Sequence, residues 1–358
     1  MEITDILKKA INDGSSDIFI VAGLPLTFKN SGQQVRMDAE GKLFPQQINA
    51  LIASLYGVAK RDIKRIEKQD QDDDFSFSIG GVGRFRVNVY HQRGSLAAVI
   101  RVIKFGIPDY REMNIPEGVM KVADFNQGIV LVTGQAGSGK STTLACIVDQ
   151  INHTRQGHIL TLEDPVEYVH QHDKCIVSQR EIFSDSPSYL SALRSALRES
   201  PDVILLGEMR DHETIDVAMT AAETGQLLFS TLHTTGAAST VDRIIDSFPA
   251  NQQGQVRLQL SMCLQAVISQ QLVPSVSGKL IPAYEIMFCN TAIRNLIRES
   301  KTHQIDSAIQ AGASAGMKTM DATLLELYTK GMITRDTVLT HCLNPEATER
   351  KLRALPSR

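Results

Sequence analysis

The stretch GQAGSGKS (134–141) sets Gly134 and Gly139 five residues apart, with Lys140 and Ser141 directly after. In a G-x-x-x-x-G-K-[ST] loop the glycines let the backbone wrap with its N–H groups pointing inward. The next helix then offers its positive N-terminal end to phosphate oxygens. Lys140 can reach the β- and γ-phosphates of a bound nucleotide, and the Ser141 hydroxyl can bind Mg²⁺. The candidate ATP-binding residues are therefore Gly134, Gln135, Ala136, Gly137, Ser138, Gly139, Lys140, Ser141 and Thr142.

Two carboxylates can serve the same ligand. The run DVILLGE (202–208) ends in Glu208, and HILTLED (158–164) ends in Glu163 and Asp164. Ligands of open α/β sheets bind at the C-terminal ends of strands. Glu208 there can hold the Mg²⁺ shell or polarise an attacking water, which suits hydrolysis better than transfer to another acceptor. Glu163 beside it would give a second carboxylate near one metal and one water. Ser141, Glu163 and Glu208 are the candidate metal ligands. His233 ends QLLFSTLH (226–233) and reads either as structural or as a sensor of the γ-phosphate.

These residues need a scaffold. GIVLVTG (128–134), HILTLED, DVILLGE and QLLFSTLH are short, nearly continuous apolar runs, as in strands buried on both faces of a parallel sheet. Helix-forming stretches such as STTLACIVDQI separate them, so βαβ units are expected over 118–289. Residues 290–358 read as a helical C-terminal region and 105–117, with two prolines, as a linker. Residues 1–104 read as a smaller α/β unit. Phe75, Phe77 and Ile79 alternate with serines, the period of a half-buried strand. The run QDQDDD (69–74) before them reads as a solvated turn. The fold class is α/β.

Composition narrows the function. The net charge is −3, tryptophan is absent and no basic-aromatic cluster occurs, so no nucleic-acid partner is expected. No apolar run approaches the ~20 residues of a membrane span, and the charged amphipathic N-terminus does not resemble a signal peptide. The cytoplasm is the expected location. Five cysteines without a CxxC pair read as reduced thiols, mostly buried.

Taken together, TGQAGSGKSTTL, ILTLEDPVEYVH, DVILLGEMRD and TAAETGQLLFSTLHT resemble the Walker A, Asp, Walker B and His boxes of the secretion ATPases that power type II secretion and type IV pili. RFRVNVY, IVSQRE (176–181), ALRSALRESPD and DRIIDSFP also match, so the resemblance covers roughly residues 1–345. It is strongest to the retraction ATPases of type IV pili, whose hallmark is AIRNLIRE (292–299). Assembly ATPases of the family usually carry a long N-terminal extension and a tetracysteine zinc module, and the absence of CxxC pairs here favours the retraction branch. An accessory retraction-type paralogue stays open as the alternative.

The resemblance implies a homo-hexamer of PAS-like N-terminal and RecA-like C-terminal domains, with ATP and Mg²⁺ at the subunit interfaces. It implies that Arg86 and Arg101 complete the catalytic site from the N-terminal domain, alongside Glu208, Glu163 and His233. Arginines stabilise charge on a transferred phosphoryl group. It further implies work at the cytoplasmic face of the inner membrane at the pilus base, against a pilus platform protein and beside possible paralogous pilus ATPases. Two positions depart from the pattern. Gln226 and Phe19 stand where relatives usually place histidines. In AIRNLIRE, Ile293, Leu296 and Ile297 should dock a helix on the core. That leaves Arg294, Arg298 and Glu299 free to meet a neighbouring subunit or the pilus platform.

Overall fold

The computed structural model describes residues 2–30, 32–66, 71–103 and 106–354. Lys104 at the end of the expected first unit, Phe105 of the expected linker, Gln69 and Asp70 of the acidic run, and residues 355–358 of the tail lie outside the described residues. The chain divides into two compact units, Met1–Gly106 and Ile107–Arg358.

The first unit contains helix α1 (Ile3–Asn12), strands β1 (Asp17–Ile20), β2 (Thr27–Asn30) and β3 (Gln33–Arg36), helix α2 (Pro45–Val58), and strands β4 (Asp73–Ile79), β5 (Gly83–Gln92) and β6 (Ser95–Ile103). The sheet order is β3-β2-β1-β6-β5-β4 with every neighbour antiparallel. Period-2 alternation decides its faces. Phe85, Val87 and Val89 of β5 are fully buried against Ile6 and Leu7 of α1 and Ile52 and Leu55 of α2. Arg84, Arg86 and Asn88 between them are only partly covered. Each fully buried aliphatic or phenylalanine side chain stabilises the unit by about 1.5–3 kcal/mol.

The acidic run is not wholly a solvated turn. Asp73 opens β4 and is 7% exposed. Arg61 donates to it from Nη2 (2.6 Å) and Nε (2.8 Å), and the Tyr56 hydroxyl donates at 2.8 Å. Burial alone would raise this carboxyl, but the bonds from Arg61 and Tyr56 outweigh it and hold it below its ordinary value.

The second unit contains α3 (Glu117–Met120), β7 (Gly128–Thr133), α4 (Lys140–Thr154), β8 (Gly157–Glu163), β9 (Cys175–Glu181), α5 (Tyr189–Ala196), β10 (Val203–Leu206), α6 (His212–Glu223), β11 (Leu227–Leu232), α7 (Ala237–Asp246), α8 (Gln253–Cys263), β12 (Leu264–Pro274) and β13 (Leu280–Phe288). Then follow α9 (Thr291–Arg298), α10 (Ile305–Ala311), α11 (Met320–Thr329), α12 (Arg335–His341) and α13 (Pro345–Ala354). The sheet order is β13-β12-β7-β11-β10-β8-β9, parallel throughout except the β12/β13 hairpin. Every residue of β7, β10 and β11 is buried, because apolar clusters cover both faces of the sheet. A third cluster packs α11, α12 and α13 on the β12/β13 hairpin through Val273, Ala283, Met320, Leu324 and Val338. Pro282 stands in β13 opposite Leu272. A proline is tolerated there because β13 is an edge strand.

Among the described residues no helix is long and apolar enough to cross a membrane. All five cysteines are free thiols, four of them buried.

Candidate active site

Parallel strands bring their C-terminal ends to one edge, and neighbours lie about 4.8 Å apart. Across that edge the order β7-β11-β10-β8 sets four groups side by side: the 134–139 loop, His233, Glu208 and Glu163. They line one cavity of about 340 Å³ together with Lys140, Ser141, Glu167 and Tyr168. Residues up to 100 positions apart in sequence are thus gathered by strand order alone.

The loop is built on glycine where glycine is required. Gly134 has φ 143°, and a Cβ there would sit 2.2 Å from the Gln270 carbonyl oxygen. Gly139, at φ 88°, would bring a Cβ within 2.8 Å of the Gln270 amide nitrogen. Gln270 on β12 is the underside of the loop. It is 2% exposed, and its Oε1 accepts from the Thr143 hydroxyl of α4 at 2.8 Å. Nothing in the motif announces this residue, since it lies 127 positions from its partner. Its signal is a polar side chain within an apolar strand.

Lys140 opens α4 and is 8% exposed. Its ammonium donates to the Gly134 and Gln135 carbonyls, both at 2.9 Å, which holds it in the mouth of the loop. Burial lowers its pKa, with Glu167 and Glu208 opposing the shift. The Ser138 hydroxyl is buried and has no partner among the described residues, a donor suited to a phosphate oxygen. Ser141 donates to Glu167 Oε1 at 2.9 Å, and Thr142 shares a 2.9 Å hydrogen bond with the Tyr168 hydroxyl. The segment after β8 therefore packs over the start of α4. Glu167 and Tyr168 were not singled out from sequence, although they fall inside the quoted ILTLEDPVEYVH.

Glu163 accepts from the Thr161 hydroxyl at 2.6 Å and from Gln179 at 3.4 Å. Burial pushes its carboxyl up to about 7, against those two bonds. It is thus poised to exchange a proton near neutrality. Glu208 receives Arg210 Nη2 at 2.7 Å, and His233 Nε2 lies 3.6 Å from its other oxygen. Arg210 is another residue that the sequence reading passed over. His170, 8% exposed, lines the same cavity, and burial pushes it down to about 4, so it is neutral at pH 7.

The donor set fits Mg²⁺. A hydroxyl and carboxylates from separate elements share the cavity, and no cluster of three metal-ligating acidic, histidine or cysteine side chains occurs among the described residues. Mg²⁺ is held in this way, by one or two protein oxygens together with substrate phosphates and water.

Arg86 and Arg101 belong to the first unit. They are direct cross-strand partners in β5 and β6, a juxtaposition invisible in sequence. Arg86 makes a two-pronged bond to Asp74 (3.1 and 2.7 Å), and Arg101 Nε reaches Asp17 at 3.1 Å. Phe19 lies in β1 opposite Val99. Gln226 precedes β11, at the end of that strand away from His233, and accepts from the Thr224 hydroxyl at 2.9 Å.

The AIRNLIRE helix corrects one expectation. Ile293 and Ile297 are fully buried in α9, and Leu296 packs on the same cluster. Arg294, however, is not free. Its Nη1 donates to the Ser261 and Met262 carbonyls at 2.6 and 2.8 Å, and its Nη2 to Gln265 Oε1 at 3.0 Å. It satisfies carbonyls at the C-terminal end of α8, which helix geometry leaves without partners. Arg298 is exposed and bonds to Asn295, and Glu299 pairs with Lys301.

The family profile described as Type II/IV secretion system protein matches residues 1–339. The type IV pilus retraction ATPase PilT of Pseudomonas aeruginosa is 46% identical over 346 residues, covering 97% of this chain and 99% of that protein. The type IV pilus ATPase PilU of the same organism is 39% identical over 342 residues, 95% of this chain and 88% of that one. A crystal structure of the pilus retraction motor PilT with bound ADP superimposes with a TM-score of 0.89 at 45% identity, covering 98% and 99% of the two chains.

Proposed function

This chain belongs to the Type II/IV secretion system protein family, and we propose that it is the hexameric motor that hydrolyses ATP to power type IV pilus retraction. It is an ATPase of the PilT kind. The observation that carries the reading is the cavity at the β7-β11-β10-β8 edge, together with 46% identity to a retraction ATPase along 97% of the chain. The accessory PilU reading is weaker, because identity to PilU is lower and its coverage shorter.

In the proposed cycle the 134–139 loop wraps the β-phosphate with its backbone N–H groups. Lys140 exchanges its carbonyl partners for β- and γ-phosphate oxygens. Bound Mg²⁺ would neutralise phosphate charge, held by Ser141 with Glu163 and Glu208 near its shell. Glu208 orients the attacking water, and Glu163 takes up the proton that the water loses. His233, beside Glu208, senses whether the γ-phosphate is present. Arg86 and Arg101 leave Asp74 and Asp17 to stabilise the transferred charge at a subunit interface. The ring works in the cytoplasm at the pilus base, against the inner-membrane platform protein.

Deleting the gene and counting pili per cell tests the reading. Excess pili that do not retract, with loss of surface motility, are expected. Normal pilus number and motility would contradict it.

A further inference from the structure

We propose that Glu285 is a positioning residue: it clamps the loop that carries His233 and links that loop to the C-terminal helices, so that nucleotide state reaches them. Four observations carry this. Glu285 is a carboxylate 1% exposed, on a strand that supplies no group to the cavity. Its Oε1 accepts from the Ala237 backbone N–H at 2.7 Å, and its Oε2 from that of Met320 at 3.2 Å. Those are the first residues of α7 and α11, so one carboxylate receives the positive ends of two helices. Finally, Ser269, the direct cross-strand partner of Glu285, accepts from the Gly236 N–H at 2.9 Å.

Two successive N–H groups, at Gly236 and Ala237, are therefore gripped by one cross-strand pair. They follow His233 by three and four residues. A loop held so tightly cannot shift at His233 without pulling on Glu285. Glu285 cannot move without disturbing the first turn of α11, because its second oxygen is committed there. Burial makes the clamp stiff, since a buried N–H that loses its acceptor is costly. Closeness adds to this: a Cβ on Gly236 would lie 3.8 Å from Glu285 Oε1 and 3.5 Å from Leu343, beyond α12. The link runs from the loop to α11 and its neighbours.

The inference rests on the reading of His233 as part of the ATP site. The test uses the full-length protein. A glutamine at this position keeps the shape but has a single acceptor oxygen, so Glu285→Gln must give up one of the two N–H bonds. The measurements are kcat and KM for ATP, and hydrogen exchange over 320–329 with ADP against a non-hydrolysable ATP analogue. The wild type should show a nucleotide-dependent difference in exchange across α11. Glu285→Gln should reduce that difference by half or more and lower kcat about tenfold, with KM within twofold. Ser269→Ala, which frees only the loop, should lower kcat about threefold and keep the response of α11. A wild type without that response overturns the inference, as does a Glu285→Gln variant that keeps both the response and kcat. If Glu285→Gln does not fold, the Ser269→Ala result decides: loss of the α11 response in it contradicts the separate link through Glu285. Absence of ATP hydrolysis in the wild type would instead overturn the reading on which the inference depends.

Discussion

The charged groups of the two sheets stand in different situations. On the antiparallel sheet of the first unit, Arg86 and Arg101 lie on the open face, each against a carboxylate. On the parallel sheet of the second unit, Lys140, Glu163, Glu208 and His233 crowd one edge around a cavity. The first arrangement is satisfied at rest and has to trade partners to act. The second is assembled by topology, and burial shifts the proton affinities of Lys140 and Glu163 before any ligand arrives. A motor that must hydrolyse only in the correct assembly gains from this division. On the proposed reading the cavity edge is assembled in advance, and Arg86 and Arg101 complete it only after leaving Asp74 and Asp17.

The sharpest way to break that comparison is to remove a group from the edge. Lys140→Ala should lower ATP turnover about a hundredfold to a thousandfold, as for loss of a group that stabilises developing charge. Steady-state hydrolysis checks it, and a change below tenfold would mean that the edge is not the catalytic site.

The proton affinity of Glu163 gives the next test. Its carboxyl titrates near 7 in the folded chain and near 4.5 unfolded, so the folded state holds the proton more tightly between those values. Its contribution to stability is therefore lost as pH rises through about 7. Glu163→Gln, always neutral, should raise the Tm of the nucleotide-free protein by about 4 °C or more at pH 8.5 and far less at pH 5.5. A gain independent of pH would show that burial is not what shifts this group.

For the first unit the expected effect is smaller and falls on rate alone. Arg86→Ala or Arg101→Ala should slow hydrolysis about tenfold to a hundredfold, and Arg86→Ala should cost less than about 1 kcal/mol of stability, because its pair with Asp74 is solvent-exposed. Denaturant unfolding and turnover on the same samples separate the two. Full turnover in both variants would leave the arginines as surface charges.

The smallest effect distinguishes the arginines of AIRNLIRE. Arg294→Ala should cost about 1–3 kcal/mol, since it strips acceptors at the end of α8 of a charged donor. Arg298→Ala should stay within about 0.5 kcal/mol and leave ATPase activity unchanged. Equal costs in chemical denaturation would contradict the assigned role of Arg294. Charge reversal at Arg298 remains the clean probe of an outward contact, whereas the same change at Arg294 would confound folding with coupling.

Much of the catalytic edge was legible because each of its parts is local. An apolar run ending in a polar residue marks a buried strand and its active end, and a glycine-rich turn before a helix marks the loop. What escaped was non-local or lacked a period. Strand β3 is exposed at every position, so it shows no alternation to read. Strands β12 and β13 mix Gln270, Gln271, Pro282 and Glu285 into their apolar runs. Gln270 lies beneath the loop, Glu285 accepts from the first residues of α7 and α11, and Gln271 bonds to His341, so each polar interruption has its own long-range partner. Arg294 read as an unpaired surface charge because its acceptors lie about 30 residues upstream.

The central claim, that ATP hydrolysed at the β7-β11-β10-β8 edge drives retraction, meets its most direct test in cells whose only copy carries Glu208→Gln. The purified variant should bind ATP with near-native affinity and hydrolyse it about a hundredfold more slowly. Its cells should carry excess pili that extend but do not retract. Native retraction in those cells, with hydrolysis reduced as expected, would contradict the account.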